Sequence, residues 1–446
     1  MNDSQHDRLT RREVLSRMSK AAAGAAFAPV ASRLAFAARE GNPGKPNIIL
    51  IESDDLGYGD LGCYGSKNIN TPHLDTLATQ GVRLTHYYVA VPLCAPTRVS
   101  LMTGKYPQRT SLAWNPNWKN PDDGLSPDEI TIAELLRDAG YHTGLVGKWH
   151  LGYSEKFRPL KQGFQEYYGF LSGWADYYKH TYREGSKWMF RNQQPFDEPG
   201  YMTDLLTREA IAYLDRHQHE SFFLYLAYNA PHGPIQAPEE WVARTKGYVY
   251  AAMVECLDDG IGKLIQHLDK LGLADDTLVI FMNDNGGVAQ PDRGTNAPLS
   301  GSKGGLKEGG IRVPSIARWP GKIPPGKEVD EPVISMDLFT TFAKVGGAAL
   351  PKNVVVDGKD ILPVLTRKSQ SPHDILFWQF KKQTAARRGE LKLLRQEGEA
   401  DRLYNVVQDP GEKHDLAGER PEVVKELGAA IDRWLAGLKT PAEKPK

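Results

Sequence analysis

Two kinds of pattern alternate along most of the chain. Short, continuous apolar runs occur at Asn47–Ser53 (NIILIES), Phe222–Tyr228 (FFLYLAY) and Thr277–Met282 (TLVIFM). Runs of this length without polar alternation predict strands buried on both faces. Gly81–Tyr88 and Tyr141–Val146 predict two more strands. Between them lie segments with apolar positions three and four apart. Thr71-Pro72 starts one helix, Leu74, Leu77 and Ala78 give its apolar face, and Gly81 stops it. Ser126–Ala139 predicts a second helix with Ile132, Leu135 and Leu136 inward and Gly140 as its stop, and Thr203–His217 and Tyr248–Leu271 predict two more. Strand and helix in alternation predict an α/β fold with a mostly parallel central sheet and helices on both faces.

The pattern changes near Ser371. Ile375–Phe380, Leu391–Arg395 and Leu403–Val407 follow one another without long helices between them, and a helical pattern covers Pro421–Leu438. This predicts a small C-terminal subdomain, an antiparallel sheet with one helix, over residues 371–446. The main domain is expected over 45–365, with Pro/Gly/Lys-rich connections at Lys322–Pro332 and Leu350–Asn353.

Residues 1–37 have the order of an export signal. A twin-arginine pair stands in Thr10-Arg11-Arg12-Glu13-Val14-Leu15, an Ala-rich run extends from Ala21 to Ala31, and Ala35-Phe36-Ala37 offers a cleavage site. A twin-arginine signal is read by a bacterial export machinery, so the expected location is periplasmic or secreted.

Composition narrows the classes. The 446 residues carry 55 Lys+Arg and 55 Asp+Glu, and no basic excess marks a nucleic-acid binder. Residues 1–37 hold six basic and three acidic side chains, so the rest of the chain is net acidic by three. An anionic substrate must therefore be met by a local basic pocket. No stretch supplies the ~20 apolar residues of a membrane span. The three cysteines, Cys63, Cys94 and Cys256, are too few for a disulfide framework, lack zinc spacing, and leave at least one unpaired.

In open α/β sheets, ligands bind beyond the carboxyl ends of the strands. Those ends deliver Asp54-Asp55, Gly147-Lys148-Trp149-His150, Pro231-His232-Gly233-Pro234 and Asp284-Asn285-Gly286-Gly287. Asp54, Asp55, Asp284 and Asn285 are oxygen donors suited to a hard divalent cation. Taken singly, an Asp pair after a strand is also an ordinary turn, and a Lys or His in a loop is also a solvated or packed residue. The segment Pro92–Lys105 (PLCAPTRVSLMTGK) puts Cys94 near a helix start with Arg98 one turn on. That position suits an activated nucleophile or an anion, and equally a small buried cysteine.

Cys94-Ala95-Pro96-Thr97-Arg98, followed by Thr103-Gly104, resembles the C-x-P-x-R…T-G signature of the type I sulfatases, members of the alkaline-phosphatase-like superfamily. Four further motifs in the same order carry the resemblance over nearly all of the chain after the signal. They are Asp54-Asp55-Leu56-Gly57-Tyr58-Gly59-Asp60, Gly147-Lys148-Trp149-His150-Leu151-Gly152, Ser302-Lys303 through Glu308-Gly309-Gly310-Ile311-Arg312-Val313-Pro314, and Leu403-Tyr404-Asn405 to Asp409-Pro410-Gly411-Glu412. Thr97, where Ser is frequent, and Glu52-Ser53 before the Asp pair are minor departures.

The resemblance implies that a formylglycine-generating maturase converts Cys94 to formylglycine, whose hydrate is the nucleophile. It implies Ca²⁺ bound by Asp54, Asp55, Asp284, Asn285 and the modified Cys94 side chain. Arg98 and Lys148 would hold the hydrate, His150 would take the proton of its second hydroxyl, and His232 and Lys303 would grip the sulfate and assist the leaving group. A second hydroxyl on one carbon lets the sulfated intermediate expel sulfate by reforming its carbonyl, which a serine could not do. The implied substrate is an aryl sulfate or a sulfated carbohydrate, as in arylsulfatase-like and N-acetylgalactosamine-6-sulfatase-like members. Trp114, Trp118, Trp174, Tyr177, Tyr178, Lys179, His180 and Trp188 fill irregular stretches and suit either a sugar-binding wall or the packing of a lid. Two other readings keep the same residues: a phosphonate or phosphodiester hydrolase of the superfamily, and a non-catalytic binder of sulfated glycans.

Overall fold

The run Asn47–Ser53 forms strand β1, buried along its whole length. Ile48 and Leu50 enter one apolar layer, and Ile49 and Ile51 enter the other. A strand apolar on both faces must lie inside a sheet covered on both sides. The computed structural model describes residues 44–288, 290 and 292–438. The expected export segment 1–37 lies outside the described residues.

The remaining strands in chain order are β2 (Val82–Leu84), β3 (Tyr87–Tyr88), β4 (His142–Lys148), β5 (Glu166–Phe170), β6 (Met189–Arg191), β7 (Gln194–Pro195), β8 (Phe222–Ala227), β9 (Thr277–Asn283), β10 (Ser315–Arg318), β11 (Lys327–Val329), β12 (Val333–Ile334), β13 (Leu376–Phe380), β14 (Gln383–Arg388), β15 (Leu391–Gln396) and β16 (Arg402–Asn405). The main sheet runs β11-β2-β10-β9-β1-β8-β4-β5-β6-β7. Its centre, β9-β1-β8-β4-β5, is wholly parallel. Antiparallel pairings join it to β10 on one side and β6 on the other. Helices Pro72–Gln80, Met202–His217 and Val249–Lys270 pack with Ile49 and Ile51. Helices Cys94–Thr103, Ile132–Asp138 and Asp337–Val345 pack with Ile48 and Leu50. The expected mostly parallel sheet with helices on both faces is the observed one. No described helix is long and apolar enough to cross a membrane.

The C-terminal segment forms the antiparallel sheet β13-β14-β15-β16 with helix Pro421–Gly437. Leu427 and Ile431 of that helix pack on Ala386, Leu393 and Leu403. The other face gives Trp378, Ala385 and Leu394 to the main core, and the Trp378 indole donates to the Val89 carbonyl at 2.8 Å.

Several boundaries differ from the sequence reading, most by one or two residues, and three carry a structural reason or consequence. The second helix starts at Ile132, not Ser126, because Thr131 and Glu134 form a reciprocal capping box at that point. The strand expected over Gly81–Tyr88 is broken: Val82–Leu84 joins the main sheet, while Tyr87–Tyr88 pairs with β12. The strand expected to end at Val146 continues to Lys148, which makes that lysine the last residue of β4.

Candidate active site

The carboxyl ends of the central strands meet at one rim. Asp54 and Asp55 follow β1, Asp284 and Asn285 follow β9, and Lys148 closes β4 with His150 just beyond it. His232 follows β8 after a short turn, and Cys94 is the first residue of its helix. Lys303 arrives on the loop before Glu308–Ile311. Asp55 and His150 hold left-handed backbone, with φ of 66° and 60°. Non-glycine residues take this conformation at a cost and do so most often at functional sites.

The side chains form one connected set. Lys148 Nζ lies 2.5 Å from Asp54 Oδ2, both fully buried. The Cys94 thiol faces Asp54 Oδ1 at 3.8 Å, and Lys303 Nζ donates to Cys94 Sγ at 3.1 Å and to Asp55 Oδ1 at 2.5 Å. Asn285 Nδ2 donates to Asp55 Oδ1 at 2.8 Å, and the Asp55 backbone N–H donates to Asp284 Oδ1 at 3.2 Å. His232 Nε2 stands 3.5 Å from Asp55 Oδ2. Its Nδ1 lies 2.7 Å from the Gly233 carbonyl, which can only accept, so Nδ1 carries a proton. The His150 ring rests on Gly173, where a Cβ would sit 2.6 Å from it.

Arg98 sits behind this set. Its guanidinium pairs with Glu52 at 2.9 Å and Asp284 at 3.5 Å, and donates to the Lys148 carbonyl and the Tyr225 hydroxyl. Every residue expected at the site is thus in this network or, for His150, beside it.

Burial dominates the electrostatics. It pushes the Asp54 carboxyl up, but Lys148, His232, Lys303 and Arg98 together hold it well below the ordinary carboxylate range. Burial and the charge of Asp54 drive Asp284 well above that range. The Cys94 thiol is pushed up to about 12 by burial, against the pull of Lys148 and Lys303. Burial, then the charges of Lys148 and Arg98, hold His150 far below the ordinary imidazole value, so it is neutral. Burial also lowers His232, with Asp55 and Asp54 opposing.

A divalent cation fits these residues. Ligand atoms of Asp54, Asp55, Cys94 and His232 lie within 4.8 Å of one another. Asn285 Oδ1 is buried without a hydrogen-bond partner, a carbonyl oxygen available to a metal. The donor set is rich in hard oxygen ligands. A second cluster, His142, Glu166 and His217, does not fit an ion. The two imidazoles stack at 3.6 Å with planes 14° apart, so their in-plane lone pairs cannot converge on one point.

Glu52 and Tyr225 escaped the sequence reading. Glu52 resembled a strand residue next to the motif, and only the fold shows that it faces Arg98 and accepts from the Tyr225 hydroxyl. Its one signal was a lone acid closing an otherwise apolar strand. The expected aromatic group divides. Tyr177 is fully buried, and its hydroxyl lies 2.9 Å from the Asn229 and His232 carbonyls. His180 is buried against Gly200, and Trp188 packs edge-on to Tyr153. Trp114 and Tyr178 are exposed, and Trp118 and Trp174 both contact Tyr182.

Residues 46–348 match the Sulfatase family, and residues 303–438 match the family described as N-sulphoglucosamine sulphohydrolase, C-terminal. The chain is 35% identical to steryl-sulfatase of Homo sapiens, covering 75% of this chain and 72% of that protein. It is 34% identical to N-acetylgalactosamine-6-sulfatase of Homo sapiens, covering 79% and 72%. The crystal structure of Ps i-CgsB in complex with k-i-k-neocarrahexaose is similar, with a TM-score of 0.85, 36% identity, and 89% and 94% of the two chains covered. The phosphonate monoester hydrolase of Agrobacterium radiobacter shares the fold, with a TM-score of 0.66, 21% identity, and 88% and 95% covered. With this geometry and these relatives, the chain belongs to the sulfatase family and is a sulfuric ester hydrolase.

Proposed function

We propose that this sulfatase removes sulfate from a sulfated carbohydrate, with Cys94 converted to formylglycine and Ca²⁺ bound by Asp54, Asp55, Asp284, Asn285 and the modified Cys94 side chain. The observation that carries this reading is the position of Cys94 Sγ, 3.1 Å from Lys303 Nζ and 3.8 Å from Asp54. A thiol pushed up to about 12 is protonated at neutral pH and is a poor nucleophile. The hydrated aldehyde of formylglycine would supply hydroxyl groups at the same point, and a calcium ion would supply Lewis-acid stabilisation of sulfate oxygens.

The chain's own residues have separable tasks. Lys148 fixes Asp54 in its ionised form, and Lys303 spans Asp55 and the position of Cys94. Both place positive charge where an anionic substrate gains charge in the transition state. Arg98, one helical turn after Cys94, keeps a buried Nε–H with no hydrogen-bond partner, a donor not consumed by Glu52 or Asp284. His150, neutral and with Nδ1 unpartnered, can accept a proton. His232 has its Nδ1 proton engaged by Gly233, so Nε2 is the ring atom that faces the site. In the imidazolium form, which the charges of Asp55 and Asp54 favour against burial, Nε2 can give its proton to the leaving oxygen. Support for a carbohydrate comes from the 36% identical neighbour that holds k-i-k-neocarrahexaose and from exposed aromatic side chains such as Trp114 and Tyr178. The twin-arginine segment supports export of the folded protein, with Cys94 modified beforehand in the cytoplasm.

The test is sulfate release from a panel of sulfated mono- and disaccharides beside an aryl sulfate, using protein made with a maturase, with and without a chelator. Turnover of at least one sugar sulfate, lost on chelation and restored by Ca²⁺, is expected. Hydrolysis of aryl phosphodiesters faster than of every sulfate ester would overturn the reading.

A further inference from the structure

The cations of the site are engaged except one. Arg98 is paired with Glu52 and Asp284, Lys148 with Asp54, and Lys303 with Asp55. Arg293, partly exposed, makes no ion pair or side-chain hydrogen bond among the described residues. Its guanidinium lies against the backbone of Gly233, the residue after His232: a Cβ on Gly233 would stand 2.8 Å from Nη1 and 2.9 Å from Nη2. Both sides of this contact are held. The Tyr177 hydroxyl engages the His232 and Asn229 carbonyls. On the other side, the Gly294 N–H donates to the Tyr248 hydroxyl at 3.2 Å, and the Thr295 N–H donates to Asp60 Oδ1 at 2.8 Å.

We infer that Arg293 is a specificity-determining residue that recognises a second anionic group of the substrate, a sulfate or carboxylate lying on the leaving-group side of the scissile ester. This rests on the carbohydrate reading above. An unpaired guanidinium beside His232 adds positive charge that the buried carboxylates do not offset. A guanidinium is a planar fork of donors that matches the paired oxygens of sulfate or carboxylate. The groups assigned to the hydrate and the transferred sulfate are Arg98, Lys148, Lys303 and His232; Arg293 is not among them and stands next to the residue assigned to the leaving oxygen. The sugar that leaves would therefore place its own charge, or that of its neighbour, against Arg293. A charge-assisted hydrogen bond of this kind changes selectivity by about 10- to 100-fold.

The experiment compares two disaccharides that share the scissile sulfate, one with and one without a second sulfate on the adjoining sugar. A third carries a uronic carboxylate in place of that second sulfate. Wild type, Arg293→Ala and Arg293→Lys are assayed for released sulfate, and each sugar is also tested as a competitor of aryl sulfate hydrolysis. The expected result is a kcat/KM ratio of dianionic over monoanionic sugar that falls about tenfold or more in Arg293→Ala and is partly kept in Arg293→Lys, with unchanged melting temperatures. The arm with the larger loss names the anion. A ratio equal in wild type and Arg293→Ala, with sugars still cleaved, overturns this inference and leaves the carbohydrate reading standing. Sugars that are neither cleaved nor competitive, with aryl sulfate hydrolysed, overturn both.

Discussion

Arg98 meets Glu52 at 2.9 Å with both side chains buried, and Glu52 in turn accepts from the Tyr225 hydroxyl. This pair lies one layer beneath the site and orients the guanidinium that also touches Asp284. Removing one partner of a buried ion pair leaves an uncompensated charge and costs about 3–5 kcal/mol. Glu52→Ala is therefore expected to lower the urea-unfolding free energy by that amount and to reduce turnover as well. Glu52→Gln should recover only the part of the stability that comes from filling the space and accepting from Tyr225, since it leaves the Arg98 charge equally unpaired, and little of the activity. A Glu52→Ala protein with wild-type stability would show that the pair contributes nothing.

Asp284 gives the opposite signature. Burial and Asp54 make its charge unfavourable in the metal-free protein. Asp284→Asn should thus keep the melting temperature within about 4–8 °C of wild type, or raise it. Turnover and Ca²⁺-induced stabilisation should both be lost, since a ligand that binds the folded state raises apparent stability by mass action. Thermal melts with and without Ca²⁺ check this; an undiminished Ca²⁺ shift in Asp284→Asn would remove that residue from the ligand set.

His150 and His232 should separate by leaving group. If His150 accepts the proton that releases sulfate from the enzyme, His150→Ala should give a burst of released alcohol followed by slow turnover. If His232 serves the leaving oxygen, His232→Ala should lose more activity on sugar sulfates than on activated phenyl sulfates. Equal losses on all leaving groups with no burst would contradict both roles.

The clearest parts of the fold in the sequence were those where local and tertiary demands agree. Asn47–Ser53 is apolar throughout and is buried throughout, and the carboxylates just beyond it come to the rim where parallel strands put ligands. The peripheral strands were obscure. Gln383–Arg388 (QTAARR) has no apolar alternation, yet pairs on both sides as β14, because Ala385 and Ala386 face two different cores. Lys392 in the next strand has a charged residue's sequence but is fully buried, held by Glu308 at 2.9 Å and Glu412 at 3.0 Å. Those two glutamates belong to separate motifs with no visible purpose in the sequence. In the fold, Glu412 also accepts from the Ser300 hydroxyl and the Glu308 N–H, bracketing the loop that carries Lys303. Long-range pairing of buried charges leaves no periodic trace, which is also why Glu52 was missed.

At the opposite end of the sheet, His217 bridges Glu166 at 2.8 Å and Glu220 at 2.5 Å. Burial pulls its imidazole down, but the two carboxylates outweigh this and raise it above the ordinary value. Glu166 is held at about 2, chiefly by its bond to His217. A raised His stabilises fully below about pH 6.5 and loses that contribution as pH climbs through its folded value. The lowered Glu166 contributes above 4.5 and loses it as pH falls toward about 2. The stability gap between wild type and His217→Ala should therefore be widest between about pH 4.5 and 6.5 and narrow toward pH 9. His142, lowered by burial and by His217, runs the other way below pH 6.5, so the series is repeated in a His142→Gln background. A gap that is flat or widens with pH would exclude this linkage.

Cys94 is expected to be formylglycine in active enzyme. All three cysteines are free, so none is withdrawn from a thiol count by a disulfide. Protein made without a maturase should show three thiols after denaturation, and active protein two. The tryptic peptide Leu84–Arg98 should carry the corresponding mass change. Cys94→Ala should fold, because the residue is small and its loss removes few contacts, yet be inactive. Cys94→Ser supplies one hydroxyl and could transfer sulfate once; with no second hydroxyl on that carbon, it should stall as the sulfate ester, detectable as added mass on the same peptide. The unmodified thiol cannot substitute, since burial keeps it protonated. Full activity in protein that retains three thiols would overturn the mechanism at its first step, while sulfatase activity confined to the two-thiol fraction would tie turnover to this one side chain.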